Sequence, residues 1–452
     1  MPLEDRPNPS IYVLQVPDPA KVATVANMLI GALSGEGGSP LSALGQGRYI
    51  LARAAAKLLE RSHPGVALQL WLANLSTDIA LVRRLPADQV VAAYGARDPT
   101  DSGYSPTAVT LNPGNITQLP WHFRKINVPG AWSVLEKEAP GGLKHVKLAQ
   151  LDTGITRHPC FGPWTNDDNA AVRTDLGVNY KETGQRPFDP FEREYLGFPG
   201  HGTRVASVMA ANDPKAFLGV ARGVELVPYR VTNTVVINFA GNVTPLADAL
   251  LHVVENSGCP VVNISLGDPC LPGRRNGGAI DTAYERGVIV IAAAGNVTSE
   301  VTYPGRHSRV ITAGGVTEDF APWSGGARGP RVDICAPADG ITRATWKKVN
   351  GSWLPIYSGD GDGTSFAAAH VSGIACLWLA RWGEEIRGRY GRTWRVVEAF
   401  RKVLTETCMR PQNWDTGLFG AGIVDAEAVL KAKLPDVDTL RPDENTAADD
   451  LA

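Results

Sequence analysis

The stretch Gly363-Thr364-Ser365-Phe366-Ala367-Ala368-Ala369-His370-Val371-Ser372-Gly373 decides how the rest of the chain is read. Gly361 and Gly363 permit a sharp turn, and Phe366 to Ala380 is helix-compatible and mostly small or apolar. Ser365 therefore stands where a turn runs into a helix, beside amides without intrahelical partners and at the positive end of the helix dipole. That setting suits a nucleophile whose reaction creates an oxyanion. It also suits an ordinary N-cap serine, and the stretch by itself leaves both open.

Upstream, from Ile116 onward, apolar strands alternate with helices, the pattern of an α/β fold whose mostly parallel central sheet is covered on both faces. The expected strands are 146–151, 225–230, 261–264, 288–293 and 310–313, with helices near 203–210, 245–257 and 278–286. In such a sheet the functional groups gather beyond the carboxyl ends of the strands. Asp152 follows the first strand directly, placed to orient an imidazole, although Asp-x-Gly is also a common turn. His201 is framed by Gly200 and Gly202 with an apolar helix starting at once, so its ring can exchange protons near neutral pH. Asn296 ends Ala292-Ala293-Ala294-Gly295-Asn296 and can aim an amide donor at an oxyanion. His370 lies inside the helix that starts at Ser365 and reads as structural.

The order Asp152, His201, Asn296, Ser365 places the three triad residue types in the chain order seen in subtilisin. With Asn263-Ile264-Ser265-Leu266-Gly267, Tyr303-Pro304-Gly305, Gly329-Pro330-Arg331-Val332-Asp333-Ile334-Cys335-Ala336-Pro337 and Gly417-Leu418-Phe419-Gly420-Ala421-Gly422, the chain resembles the subtilisin-like serine protease (subtilase) family over residues 116–434. The lead-in Leu119-Pro120-Trp121-His122-Phe123-Arg124-Lys125-Ile126 is similar as well. The resemblance implies the subtilisin-like three-layer fold and a serine endopeptidase acting on polypeptides through an acyl-enzyme. Ser365 would be the nucleophile, His201 the general base and acid, and Asp152 its orienting partner. Asn296 and the Ser365 amide would form the oxyanion hole. Ser265, Leu266 and Gly267 would pair with an extended substrate beside Ala293, Ala294 and Gly295. It implies no cofactor or metal for the chemistry, with a structural calcium ion, as in many relatives, left open because no ligand set stands out.

The chain departs from the family pattern in several places. Arg204 stands where the family usually has a second histidine, and Ala369 where it usually has proline. A polar, proline-bearing insertion covers about 164–199, either a loop over one rim of the cleft or a surface excursion. Thr302, before Tyr303-Pro304, would narrow the main specificity pocket, while Glu300 reads as solvated rather than as a selector for basic side chains.

Residues 1–100 read as a small α/β unit resembling, more loosely, the family's propeptide, with 101–115 as a linker. That implies a zymogen whose own N-terminal domain acts as an intramolecular inhibitor or chaperone; a permanent accessory domain is the other reading. Residues 435–452, with six acidic residues against Arg441, read as a disordered acidic tail. A net charge of -2 without a basic stripe argues against nucleic acid as a partner. The six cysteines show no zinc spacing and read mostly as buried free thiols, a Cys259–Cys270 bridge being conceivable. The acidic, proline-containing start is unlike a signal peptide, and Val22 to Leu33 follows a helical apolar face. No apolar run is long enough to span a membrane, so the expectation is a cytoplasmic rather than secreted protein. Two rival functions stay in view: a peptide-binding pseudoprotease, and a peptide ligase or cyclase using the same acyl-enzyme.

Overall fold

The computed structural model describes residues 119–191, 198–235, 243–268, 274–296, 300–349 and 352–446. The α/β unit and linker expected before residue 116 lie outside the described residues.

Short apolar runs build a six-stranded parallel sheet in the order β4-β1-β5-β6-β7-β8. The strands are β1 (Lys147–Asp152), β4 (Glu225–Arg230), β5 (Val261–Ile264), β6 (Ile289–Ala293), β7 (Ile311–Val316) and β8 (Ile334–Pro337). A two-residue hairpin, β2 (Asn212–Asp213) with β3 (Phe217–Leu218), lies outside it. The strands are apolar at nearly every position because both faces are covered. Leu148, Ile289 and Ile291 point into one core, whereas Ala149, Leu151, Val262 and Val290, on the alternate positions, point into the other.

The larger core is shared by α1 (Val128–Glu138), α2 (His201–Ala210), α5 (Thr364–Tyr390), α6 (Arg395–Glu406) and α7 (Ala426–Lys431). On the opposite face lie α3 (Val243–His252) and α4 (Arg274–Glu285). Helix α5 carries no polar stripe over its first half, since every side chain from Thr364 to Leu379 is buried. A helix enclosed on all sides needs no amphipathic pattern, and its mostly small and apolar sequence follows from that. Trp378 is fully buried within it, so truncating that side chain to alanine should cost about 3–5 kcal/mol.

Three features differ from or refine the sequence expectations. An antiparallel hairpin, β9 (Ile341–Val349) with β10 (Ser352–Gly361), leads into the Ser365 turn and closes with a register shift between Ser358 and Gly361. Its second strand is half exposed, so its apolar residues make no run that stands out in sequence. The insertion is no loose excursion: within 164–191 it runs along the outer edge of β4 through bridges at Val172–Leu226 and Asn179–Arg230, then meets the segment after β1 at Phe188–Ile155.

The expected disordered tail is corrected over 435–446. Leu440 is buried in the larger core, a 3-10 turn covers Val437–Thr439, and the Asp443 carbonyl accepts from Arg309 Nη2 at 2.9 Å. The Asp443 amide in turn donates to the Tyr284 hydroxyl at 2.7 Å. The acidic composition hid two apolar contacts, Leu440 in the larger core and Val437 against it, and main-chain bonds that composition does not register. Cys160, Cys259, Cys335 and Cys376 are buried free thiols. Among the described residues no helix is long and apolar enough to cross a membrane.

Candidate active site

Strands β1, β5 and β6 are neighbours in the parallel sheet, and the chain at or beyond their carboxyl ends carries Asp152, Ser265 and Asn296, while His201 and Ser365 stand in the first turns of α2 and α5. Asp152 is the last residue of β1 and is buried. His201 is the first residue of α2, and its Nδ1–H donates to Asp152 Oδ1 at 2.8 Å. The same carboxylate oxygen accepts the Thr153 amide at 2.7 Å. The imidazole is thus held by its Nδ1 side, which leaves Nε2 as the nitrogen available for proton exchange.

Ser365 sits in the first turn of α5. Its hydroxyl donates to the Ser265 carbonyl at 3.1 Å. Ser265 answers from its own side chain, whose Oγ lies 3.0 Å from both Asn263 Oδ1 and the Ser365 carbonyl oxygen. Ser265 was expected as a substrate-pairing residue, and here its side chain fixes the Ser365 peptide. Leu266 is buried in the smaller core, and the Gly267 amide donates to the Val235 carbonyl at 3.0 Å. Of the strand-pairing groups expected at 265–267, the Ser265 carbonyl and the Gly267 amide are thus engaged inside the chain.

Asn296 is oriented by two donors on one atom. Its Oδ1 accepts the Thr364 amide at 3.0 Å and the Thr364 hydroxyl at 2.8 Å, so its amide NH2 is the group left to donate. Thr364 Oγ1 also accepts the Gly295 amide at 3.1 Å, which ties the end of β6 to the start of α5. Gly363 has φ +141°, and a Cβ there would lie 3.2 Å from Asn296 Nδ2. Ala293 is buried at the end of β6. Thr302 is buried between the two segments expected to flank a substrate: its amide donates to the Ala294 carbonyl at 2.8 Å, and a Cβ on Gly267 would lie 2.7 Å from its Oγ1. Glu300 is exposed and lies 3.5 Å from Arg306.

Arg204 is buried on α2, its Nη1 donating to the Pro199 carbonyl at 3.0 Å. Burial, and then the neighbouring Arg343 charge, push its guanidinium down to about 10, against the pull of Asp189, Asp152 and Asp360. His370 is buried as expected, its Nδ1–H donating to the Phe366 carbonyl at 2.6 Å and its Nε2 accepting from His122 Nδ1 at 2.8 Å. Among the described residues no three His, Cys, Asp or Glu side chains are grouped to hold a metal ion. Thr153, Asp189 and Thr364 were not singled out in the sequence. Thr153 and Thr364 adjoin Asp152 and Ser365, and that adjacency was the available signal; for Asp189 there was none.

A sequence profile of the subtilase family matches residues 144–422, more than half of the chain. The chain belongs to the subtilase family. This subtilase is 30% identical over 319 residues to subtilisin Savinase of Lederbergia lenta, covering 69% of this chain and 99% of that one. It is likewise 30% identical over 319 residues to M-protease of Shouchella clausii, covering 69% of this chain and 70% of its relative. Among solved structures, a protease of Pseudoalteromonas arctica superimposes with a TM-score of 0.55 at 25% identity, covering 69% of this chain and 96% of its own. MycP1 with its N-terminal propeptide removed shares the fold at a TM-score of 0.52 and 22% identity, covering 70% of this chain and 99% of its own. The subtilase described here is a subtilisin-like serine endopeptidase.

Proposed function

We propose that Ser365, His201 and Asp152 are the catalytic triad and that peptide bonds are cleaved through an acyl-enzyme on Ser365. The observation that carries this is the buried 2.8 Å bond from His201 Nδ1 to Asp152 Oδ1, with Ser365 in the first turn of the neighbouring α5. In the reaction the Ser365 hydroxyl leaves the Ser265 carbonyl and donates to His201 Nε2. His201 takes the proton as Oγ bonds to the scissile carbonyl carbon, and Asp152 stabilises the imidazolium. The carbonyl oxygen becomes an oxyanion that accepts from Asn296 Nδ2 and the Ser365 amide. His201 then gives its proton to the leaving amine as the C–N bond breaks. Water, activated by the same imidazole, attacks the ester, releasing the acid product and restoring the Ser365 hydroxyl.

An extended substrate takes its place between 265–267 and 293–295, replacing the internal bonds at Ser265 and Gly267. Thr302 closes the floor between these segments, so small side chains before the scissile bond are favoured over large ones. Equal cleavage after both would remove that preference. We further propose that the chain is a zymogen whose N-terminal segment is its intramolecular inhibitor.

The test is intact mass after incubating the full-length chain with a fluorophosphonate probe, beside Ser365→Ala. One adduct, lost in the variant, is expected. A companion loss of about 10 kDa from the N-terminus would mark the removed segment, and labelling only after cleavage within 96–115 would mark latency. No adduct in either state would overturn the triad assignment.

A further inference from the structure

We infer that Asp189, contributed by the insertion, is a positioning residue for the Asp152–His201 pair, an inference that rests on the triad proposed above. Its carboxylate is buried and accepts three hydrogen bonds. Oδ2 takes the Thr153 hydroxyl at 2.8 Å and the Gly200 amide at 2.7 Å, and Oδ1 takes the Phe191 amide at 2.9 Å. Thr153 follows Asp152 and Gly200 precedes His201, so one oxygen atom fastens the turn after the orienting carboxylate to the turn before the imidazole. The Thr153 hydroxyl completes the fastening by accepting the Gly202 amide at 3.1 Å. Both neighbours of His201 in the chain are thereby tied to Thr153, directly or through Asp189.

Asp189 is itself held against the segment that follows β1. Its amide donates to the Ile155 carbonyl at 2.8 Å, and the Ile155 amide donates to the Pro187 carbonyl at 3.0 Å. A second acid of the insertion works on the same turn from the other side. Glu182 takes Nε and Nη2 of the buried Arg230 at 2.7 and 2.8 Å, and Arg230 Nη1 donates to the Thr153 carbonyl at 2.7 Å. A buried carboxylate is costly unless its acceptor sites are filled. Burial raises the Asp189 carboxyl above its ordinary range, while the Phe191 amide, Thr153, the Gly200 amide and Arg230 pull the other way. Charge-assisted bonds to two turns fix geometry more firmly than neutral ones. An error of about 1 Å in the placement of reacting groups can cost about 10²-fold in rate. The insertion is thus the support of the Asp–His pair, as well as a cover for the β4 edge.

The test uses the full-length chain, the rate of fluorophosphonate labelling, the kcat and KM for a peptide p-nitroanilide, and thermal unfolding. Asp189→Ala is expected to lower kcat and the labelling rate together by about tenfold to a hundredfold, with KM within about twofold of the parent. Asp189→Asn keeps an acceptor for Thr153 and Gly200 and should recover most of that loss. Thr153→Val removes the hydroxyl at nearly constant shape, and combining it with Asp189→Ala should add little to either single effect. Thr153→Ser should behave as the parent. If Asp189→Ala folds, labels and turns over as the parent does, or if the two losses simply multiply, Asp189 is not a positioning residue. A lower melting temperature with unchanged kcat would overturn the inference in the same way. A parent chain that the probe marks neither as purified nor after cleavage within 96–115 would remove the triad and this inference with it, so the two failures are told apart.

Discussion

Thr364 binds Asn296 twice through a single oxygen: its amide and its hydroxyl both donate to Asn296 Oδ1, at 3.0 and 2.8 Å. The residue beside the proposed nucleophile thereby sets which way the Asn296 amide points. Asn296→Ala should lower kcat by about 10²–10³ with little change in KM, because the donor matters only once the oxyanion has formed. Thr364→Val keeps one of the two bonds and should cost about tenfold. Steady-state kinetics on a peptide p-nitroanilide separate the cases, and an Asn296→Ala loss confined to KM would place Asn296 outside the oxyanion hole.

Gly363 is the second support of this donor. At φ +141° an L-residue is strained, and a Cβ would stand 3.2 Å from Asn296 Nδ2, close to where the oxyanion must sit. Gly363→Ala is therefore expected to lose both stability, by about 1 kcal/mol or more, and at least tenfold in kcat. Thermal unfolding alongside kinetics checks it, and a variant with parental kcat would show that the turn relaxes away from Asn296.

What the sequence disclosed and what it withheld divide along a physical line. Strands β4 and β5 match their expected limits, and the part of α5 from Phe366 to Ala380 was legible from its mostly small and apolar residues, because burial on all sides leaves a nearly continuous apolar record. Asp152 and His201 were legible because each stands at the end of such an element, and the structure brings them into direct contact. Asp189 was not, since it reaches Thr153 across a separation of 36 residues by way of a polar insertion without periodicity. The β9–β10 hairpin escaped for a related reason: its half-exposed second strand carries Ser, Pro, Gly and Asp among its apolar residues. Long-range polar pairing leaves no periodic trace in a single sequence.

Acid should destabilise this protein through its buried histidines. Burial first, then the His370 charge, lowers His122 well below its ordinary 6.5, while burial pushes His158 and His370 down to about 4. His370 Nδ1 donates to the Phe366 carbonyl, so its Nε2 can accept from His122 only while His370 is neutral. The folded state thus holds these rings uncharged, whereas the unfolded chain protonates them near 6.5. Their contribution is complete above pH 6.5 and is lost as the pH falls toward 4, by about 2 kcal/mol each for His158 and His370 near pH 4.5. Urea unfolding from pH 7 to pH 4.5 should show the midpoint falling through this window, and a flat midpoint would mean that the rings stay neutral in the unfolded chain or are hydrated in the fold.

Leu440 offers the sharpest check on the docked C-terminal segment. It is 4% exposed and packs into the larger core, although an acidic, aperiodic sequence surrounds it. Nearby, Arg309 Nη2 and the Tyr284 hydroxyl hold the main chain at Asp443. Truncating a buried leucine removes its transfer free energy and leaves a cavity, so Leu440→Ala should cost about 2–3 kcal/mol. Asp438→Ala, on a side chain without a role in this packing, should stay within about 0.5 kcal/mol of the parent. Denaturant unfolding of the two variants side by side makes the comparison. Equal stability would mean that the segment leaves the surface readily, whereas a loss specific to Leu440 would establish residues 435–446 as part of the folded domain.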